Sequence, residues 1–269
     1  MSTFDTARVN AAVRGTLFHD RLHHFTTIDS TNTRALAEAQ SGADAGQVYI
    51  ADEQTAGRGR GGHTWHSEPN RGLYLTVLVR PAIEGKQAWQ LSLATGIAAA
   101  DAVLEVTGKS VDLRWPNDLV VPTAGLPSKK CGGILTETAV GPEGRLRHAA
   151  IGIGINLNQT EFPPDLATTA TSLRHAWGVP ISREMLAAVF LHALDSQLRQ
   201  IAGEDHLGTR SLLERFCRRS TWVQGKRVRV EEDEGYTGTT AGLNADGLLL
   251  VHCDDGQTRT VRHGGVREL

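Results

Sequence analysis

Between Asp52 and Trp65 the chain reads DEQTAGRGRGGHTW, with Arg58 and Arg60 interleaved among Gly57, Gly59, Gly61 and Gly62. Arginine presents a planar fork of donors that fits carboxylates and phosphates. Glycine accepts positive φ and lets backbone amides approach a ligand closely. The run directly follows an apolar, strand-like segment, Val48–Ala51, so two arginines on a glycine hinge form a candidate anion clamp. Lys129 and Lys130 stand just before two glycines and an apolar run, an arrangement that aims one ammonium into a pocket if the segment is a strand. On a strand the two lysines point to opposite faces; a solvated edge is the other reading. Asn117 and Asp118 follow Trp115-Pro116 and suit nucleotide or Mg²⁺ contacts, or an ordinary turn. In Gly152-Ile153-Gly154-Ile155-Asn156 the glycines leave one face bare for a flat ligand. Ser30-Thr31-Asn32 offers three small hydrogen-bonding side chains and also reads as a helix cap.

These groups need a frame. Ser30 or Thr31 caps a helix through Ala35, Leu36 and Ala39. Strands are expected at Val48–Ala51, Leu73–Val79, Val111–Trp115, Leu119–Val121, Gly133–Thr138 and Ala149–Ile155. Gln87–Val106 has one apolar stripe at helical spacing, and Ser182 caps a second long helix whose Leu186, Val189, Phe190, Ala193 and Leu194 face a core. From Thr221 the pattern changes to short strand-like runs, Lys226–Val230, Tyr236–Gly242, Leu248–His252 and Thr258–Val261, separated by turns such as Asn244–Gly247. A β module of about 50 residues is marginal alone, so it is expected to pack on the first domain.

The 269 residues carry a net charge of −2, which argues against electrostatically driven nucleic-acid binding by the chain as a whole. Cys131, Cys217 and Cys253 form no CxxC pair, so a disulfide framework and a cysteine zinc site are unsupported, and a reducing cytoplasm is expected. No apolar run approaches about 18 residues, so no transmembrane helix is expected. There is no HExxH, no GxxxxGK[ST] and no GxSxG. GIGIN lacks the glycine at 157 that a dinucleotide fingerprint needs.

Taken together and in order, Ser30–Asn32, the GRGRGG run, Arg114–Asp118, Lys129–Leu135, Gly152–Asn156 and the Gly264-Gly265 ending strongly resemble the biotin protein ligase family. The resemblance covers roughly residues 20–269. It implies an α+β fold: a mixed-sheet, class II synthetase-like catalytic domain over residues 21–220, after a lead-in of 1–20, and a small SH3-like β-barrel over 221–269. It also implies a two-step reaction: biotin and ATP give biotinyl-5'-AMP and pyrophosphate, then a lysine of a biotin carboxyl carrier domain, typically of an acyl-CoA carboxylase, accepts biotin and AMP leaves. Lys130 and Arg60 carry the catalytic charge by this likeness. Ser30, Thr31, Asn32, Gln54, Gly57, Arg58, Gly59, Arg60, Trp65, Thr76, Lys130, Gly133, Gly152 and Gly154 form the biotin site. Arg58, Arg60, Asn117, Asp118, Lys130 and Asn156 serve ATP, and Asp118 takes Mg²⁺.

Position 61 is glycine and 63 histidine where relatives often carry basic or bulkier residues, His66 stands where an aromatic neighbour of adenine is common, and Arg267 does not align cleanly with a distal ATP-contacting arginine. Only about 20 residues precede the motifs, too few for a winged helix-turn-helix, so the expectation is a monofunctional ligase without DNA or membrane as partner. The likeness admits monomers and homodimers formed through a sheet edge. Other readings are a lipoate–protein ligase of the same superfamily, a biotin-responsive regulator and an RGG-type RNA-binding module. The clamp and the WPND run disfavour the first; the missing DNA-binding domain and near-neutral charge disfavour the others.

Overall fold

The computed structural model describes residues 4–123, 125–203, 208–232, 234–262 and 265–269. Seven strands, β1 (Leu22–Ile28), β2 (Val48–Gln54), β3 (Gly72–Val79), β4 (Asp112–Arg114), β5 (Asp118–Thr123), β6 (Leu126–Val140) and β7 (Leu146–Asn156), form one sheet in the order β1-β2-β3-β7-β6-β5-β4. β1 and β2 run parallel and the other neighbours antiparallel, a mixed sheet. The helices are α1 (Thr6–Ala12), α2 (Thr31–Gln40), α3 (Trp89–Thr107), α4 (Leu173–Trp177), α5 (Arg183–Ile201) and α6 (Gly208–Arg219).

Period-two alternation sorts the two faces of the sheet. Leu73, Leu75, Val77 and Val79 of β3 and Ala149, Ile151, Ile153 and Ile155 of β7 enter the main core beneath α3 and α5. Leu78 and Ala150 face the other way and pack, with Tyr49, on Ala35 and Ala39 of α2. The same alternation puts Thr76, Gly152 and Gly154 on the α2 face, where the candidate site forms. Beneath the sheet, Arg183 at the start of α5 pairs with Asp52 at 2.7 Å and donates through Nε to Gly72 O at 2.8 Å; both side chains are buried.

In this domain α1, β1, α4 and α6 were not expected from sequence. Residues 1–20 contain α1, and Phe4, Val9, Val13 and Phe18 are buried in the main core. β1 is an edge strand whose residues are all intermediate or exposed, so its apolar signal is weak. α6 buries only Leu212 and Phe216 completely among its described side chains.

The C-terminal strands β8 (Gln224–Val230), β9 (Tyr236–Leu243), β10 (Leu249–Cys253), β11 (Thr258–Thr260) and β12 (Val266–Glu268) form an SH3-like antiparallel sheet in the order β11-β10-β9-β8-β12. Gly264 lies outside the described residues. The sheet packs on the first domain, as a module of this size requires. Thr221 N donates to Asp112 Oδ1 at 3.0 Å, and Trp115 Nε1 donates to Gly247 O at 2.9 Å. Gly247 is left-handed, with φ 69°, and a Cβ there would overlap the Trp89 ring. The turn therefore needs glycine for conformation and for contact. Among the described residues no helix is long and apolar enough to cross a membrane.

Candidate active site

The Gly-Arg run folds back on itself as a short hairpin after β2. Trp65 N donates to Gly57 O at 2.8 Å and Gly59 N to His63 O at 2.7 Å, while Arg58 and Thr64 form an isolated antiparallel bridge. The tip is a 3-10 turn over Arg60–Gly62, with φ 64° at Gly61 and 79° at Gly62. Gly57 has a different reason: a Cβ there would lie 2.6 Å from Trp65 O. The hairpin carries Trp65 back over the sheet, where its indole rests on bare backbone. A Cβ on Gly133 would come within 3.0 Å of ring atom Cζ3, and one on Gly154 would overlap Cε2. The flat group on the glycine-bearing strands is thus the chain's own tryptophan.

One end of the cleft is polar and neutral. Ser30 Oγ caps α2 by accepting from Thr33 N, so its cap and pocket-wall positions coincide. Thr31 N and Oγ1 donate to Gln54 Oε1 at 2.9 and 3.1 Å, and Gln54 Nε2 donates to Ser67 Oγ at 3.1 Å. Asn32 Nδ2 donates to Leu135 O at 3.2 Å and to Glu137 Oε2 at 3.0 Å, while Asn32 Oδ1 accepts from Thr76 Oγ1 at 2.6 Å. The Asn32 carbonyl rests against Gly152, where a Cβ would overlap it.

The other end is cationic, and a β-bulge aims it. Leu119 of β5 faces Gly132, but Val120 faces Lys130, so β6 carries one extra residue. Cys131 is buried in the core, and a Cβ on Gly132 would also press on the core residue Leu119. Two successive residues therefore face inward, and Lys130 joins Gly133 on the pocket face; in a regular strand positions three apart face opposite ways. Lys130 Nζ lies 2.6 Å from Asp118 Oδ1 and 5.5 Å from the Trp65 ring centre. Arg114 Nη2 holds the other oxygen, Asp118 Oδ2, at 2.6 Å, and its guanidinium lies over Trp222 at 5.3 Å. Burial alone would raise the Asp118 carboxyl; the Lys130 and Arg114 charges outweigh it and hold the pKa below the usual range. Lys129 turns away and donates to Ala167 O at 3.0 Å.

Arg60 Nη1 donates to Asn117 Oδ1 at 3.1 Å, and Asn117 Nδ2 donates to Ile134 O at 2.8 Å. Arg60 as a residue is solvent-exposed, yet desolvation lowers the pKa of its guanidinium, opposed by the Asp118 charge. The group stays protonated at any physiological pH. A partly desolvated cation of this kind gains from an entering anion. Arg58 Nη2 pairs with Glu137 Oε1 at 2.7 Å. Four cations, Arg58, Arg60, Arg114 and Lys130, thus stand against two carboxylates, Asp118 and Glu137, around the cleft. The cleft encloses about 40 Å³ of free space, or about 440 Å³ when its open mouth is included.

Two family models match the chain: the Biotin/lipoate A/B protein ligase family over residues 24–156 and the Biotin protein ligase C terminal domain over residues 224–265. The Biotin--[acetyl-CoA-carboxylase] ligase of Mycobacterium tuberculosis is 34% identical over 247 residues, covering 89% of this chain and 86% of the relative. The Bifunctional ligase/repressor BirA of Bacillus subtilis is 32% identical over 243 residues, covering 89% of this chain and 70% of the relative. The chain belongs to the biotin protein ligase family. Among solved structures, the biotin protein ligase of Aquifex aeolicus in complex with biotin and ATP superposes with a TM-score of 0.73 at 27% identity, covering 93% of this chain and all of the other.

Of the residues that the family likeness assigns, Ser30, Thr31, Asn32, Gln54, Arg58, Gly59, Arg60, Trp65, Asn117, Lys130, Gly133, Gly152 and Gly154 line this one cleft. Four do not. Thr76 is wholly buried behind Thr31 and Asn32, and Gly57 is buried beneath the hairpin. Asp118 stands behind Lys130, with both carboxylate oxygens engaged by cations. Asn156 is buried; its Nδ2 donates to Thr171 O at 3.2 Å and its Oδ1 accepts from Gln159 Nε2 at 3.3 Å. Its amide is spent on the loop that follows β7.

The donor set does not make a resident Mg²⁺ site of Asp118. Two cations neutralise it, and among the described residues no group of three metal-ligating side chains occurs. His66 and Arg267 are not in the cleft wall, and Arg267 pairs with Glu231 at 2.7 Å. Sequence reasoning missed Glu137, Arg114 as an anchor for Asp118, and Leu75 in the wall. Glu137 carries a usable signal: once Gly133 is read as facing the pocket, period two along the strand puts Leu135 and Glu137 beside it.

Proposed function

We propose that the cleft makes biotinyl-5'-AMP and holds it until a carrier-protein lysine arrives. A biotin carboxylate oxygen attacks the α-phosphorus of ATP, and the bond to the β-phosphate breaks to release pyrophosphate. The neutral ε-amine of the acceptor lysine then attacks the acyl carbon, the bond to the AMP oxygen breaks, and the amine loses a proton. The first step brings two anions together, and at about 4 Å with an effective dielectric near 20 each unit-charge repulsion costs about 4 kcal/mol. Lys130 and Arg60 supply the opposing charge in place and without reorganisation. Ser30, Thr31, Asn32 and Gln54 receive the ureido ring, and Trp65 covers the adenylate side.

The observation that carries this reading is the polarity of one cleft, with a neutral amide-and-hydroxyl end beside Asn32 and a cationic end at Lys130. A lipoyl dithiolane offers no hydrogen-bond partner to the neutral end, which favours biotin. Mg²⁺ enters as part of MgATP, and Asp118 serves to hold Lys130. The acceptor is a biotin carboxyl carrier domain. We take residues 21–220 as the catalytic unit, with the lead-in packed on it, and 221–269 as the barrel. We assign the work to the cytoplasm, where free Cys131, Cys217 and Cys253 stay reduced. The test is incubation with biotin and α-labelled MgATP without acceptor. A labelled, biotin-dependent adenylate that stays with the protein is expected. Pyrophosphate release without such an adenylate, or adenylation of lipoate in preference, would overturn the reading.

A further inference from the structure

We propose that Glu137 is a positioning residue that fixes which way the Asn32 amide faces the pocket and ties the Gly-Arg hairpin across that end. The inference rests on the ligase reading. Glu137 pairs with Ala150 in β6–β7, two residues beyond Leu135, and is not itself part of the cleft wall. Its carboxylate is divided: Oε2 accepts from Asn32 Nδ2 at 3.0 Å and Oε1 from Arg58 Nη2 at 2.7 Å. One acidic side chain therefore bridges a residue of the α2 N-terminus and a residue of the hairpin, 26 positions apart in sequence (58 less 32).

The consequence lies in the amide. Asn32 has two N–H donors, and both are used, one on Glu137 and one on Leu135 O. Its oxygen accepts from Thr76 and keeps a second lone pair. Asn32 can thus offer a ligand an acceptor and no donor. That selects an N–H group, such as a ureido N–H, at this point and rejects a carbonyl. Rotating the amide by half a turn would set its oxygen against the Glu137 carboxylate and the Leu135 carbonyl. The negative charge of Glu137 is what makes the rotated state unfavourable, because an acceptor facing an anion is a buried group left unpaired. The Arg58 contact adds a tether that holds the hairpin down over the same end.

The test is a KM-against-kcat comparison on the full chain, with the wild type first shown to form the adenylate. If the wild type makes none, the ligase reading fails and Glu137 is not at issue. Glu137→Ala is expected to raise KM for biotin about 10-fold, the worth of a misplaced hydrogen bond, with kcat for adenylation within about threefold. Glu137→Gln keeps the size and one acceptor, and is expected to shift KM in the same direction by less; it also serves if the alanine variant does not fold. In an Asn32→Ala background, Glu137→Ala should change KM no further. The proposal is overturned if Glu137→Ala leaves KM unchanged, or if it raises KM equally with and without Asn32, as a general loss of strand packing would.

Discussion

The two glycines of β7 allow a prediction with opposite outcomes at neighbouring sites. An alanine methyl at 152 would overlap Asn32 Oδ1, with Cγ at 2.9 Å and Nδ2 at 3.2 Å, whereas ordinary contact begins near 3.4 Å. Asn32 cannot retreat freely, since it is held by Thr76, Leu135 O and Glu137. Losing one to three such bonds at roughly 1 kcal/mol each predicts that Gly152→Ala destabilises the fold by about 1–3 kcal/mol. It also displaces the amide from its ligand, and misplacement on the order of 1 Å can cost about 100-fold in rate. An alanine at 154 instead meets the Trp65 indole, with Nε1 at 2.5 Å and Cζ2 at 2.8 Å. That indole N–H has no hydrogen-bond partner among the described residues, and Trp65 belongs to the hairpin and to neither core cluster. Gly154→Ala should therefore leave stability within about 0.5 kcal/mol while impairing adenylation, as expected of a substitution away from core packing. Urea denaturation gives the first quantity and steady-state adenylation at varied biotin the second. A Gly152→Ala protein as stable as wild type with wild-type KM, or equal destabilisation at both positions, would refute the argument.

Lys130→Ala should lower the adenylation rate about 100- to 1,000-fold, by analogy with loss of one preorganised transition-state donor, in single-turnover pyrophosphate release; near-normal release would remove Lys130 from its role. Asp118 makes an acid-limb prediction. Its pKa in the fold is below the ordinary 3.8, so its pairing contributes fully above that value and is lost as pH falls through the lower, folded value. Wild type should then lose more stability than Asp118→Asn between pH 5 and 2, measured by urea midpoints; parallel curves would contradict this. Asp52→Ala strands the buried Arg183 and should cost about 3–5 kcal/mol, as for other broken buried pairs, with little change in KM for biotin in whatever fraction stays folded. A mild loss in thermal melting would show that Arg183 finds compensation.

How much of this was legible in sequence depended on whether the signal was local. The turn glycines at 61 and 62, the cap at Ser30 and the Ile-Gly alternation of β7 are dictated by a few adjacent residues, and the structure carries them as expected. The bulge at Cys131 left no local mark, and without it an alternating strand sets Lys130 on the wrong side of Gly133. Trp65 reads as a wall; that it seats on Gly133 and Gly154 depends on the hairpin's path over the sheet. Asn156 matches a family nucleotide contact by position, but its amide is consumed by Thr171 and Gln159, residues well downstream or in a loop. Asp118 looked like a metal ligand because the arginine four residues before it and the lysine twelve after it converge only in the folded sheet. β1 and α6 were missed because an edge strand and a mostly solvated helix bury too little to leave a clear apolar period.

The central claim is tested most directly by the mass of an acceptor. The purified chain would be mixed with biotin, MgATP and a biotin carboxyl carrier domain, and the domain weighed by intact mass spectrometry. The account predicts a gain of one biotin on a single lysine, dependent on ATP and lost with Lys130→Ala. An unmodified acceptor, when a known ligase modifies the same preparation, would contradict it.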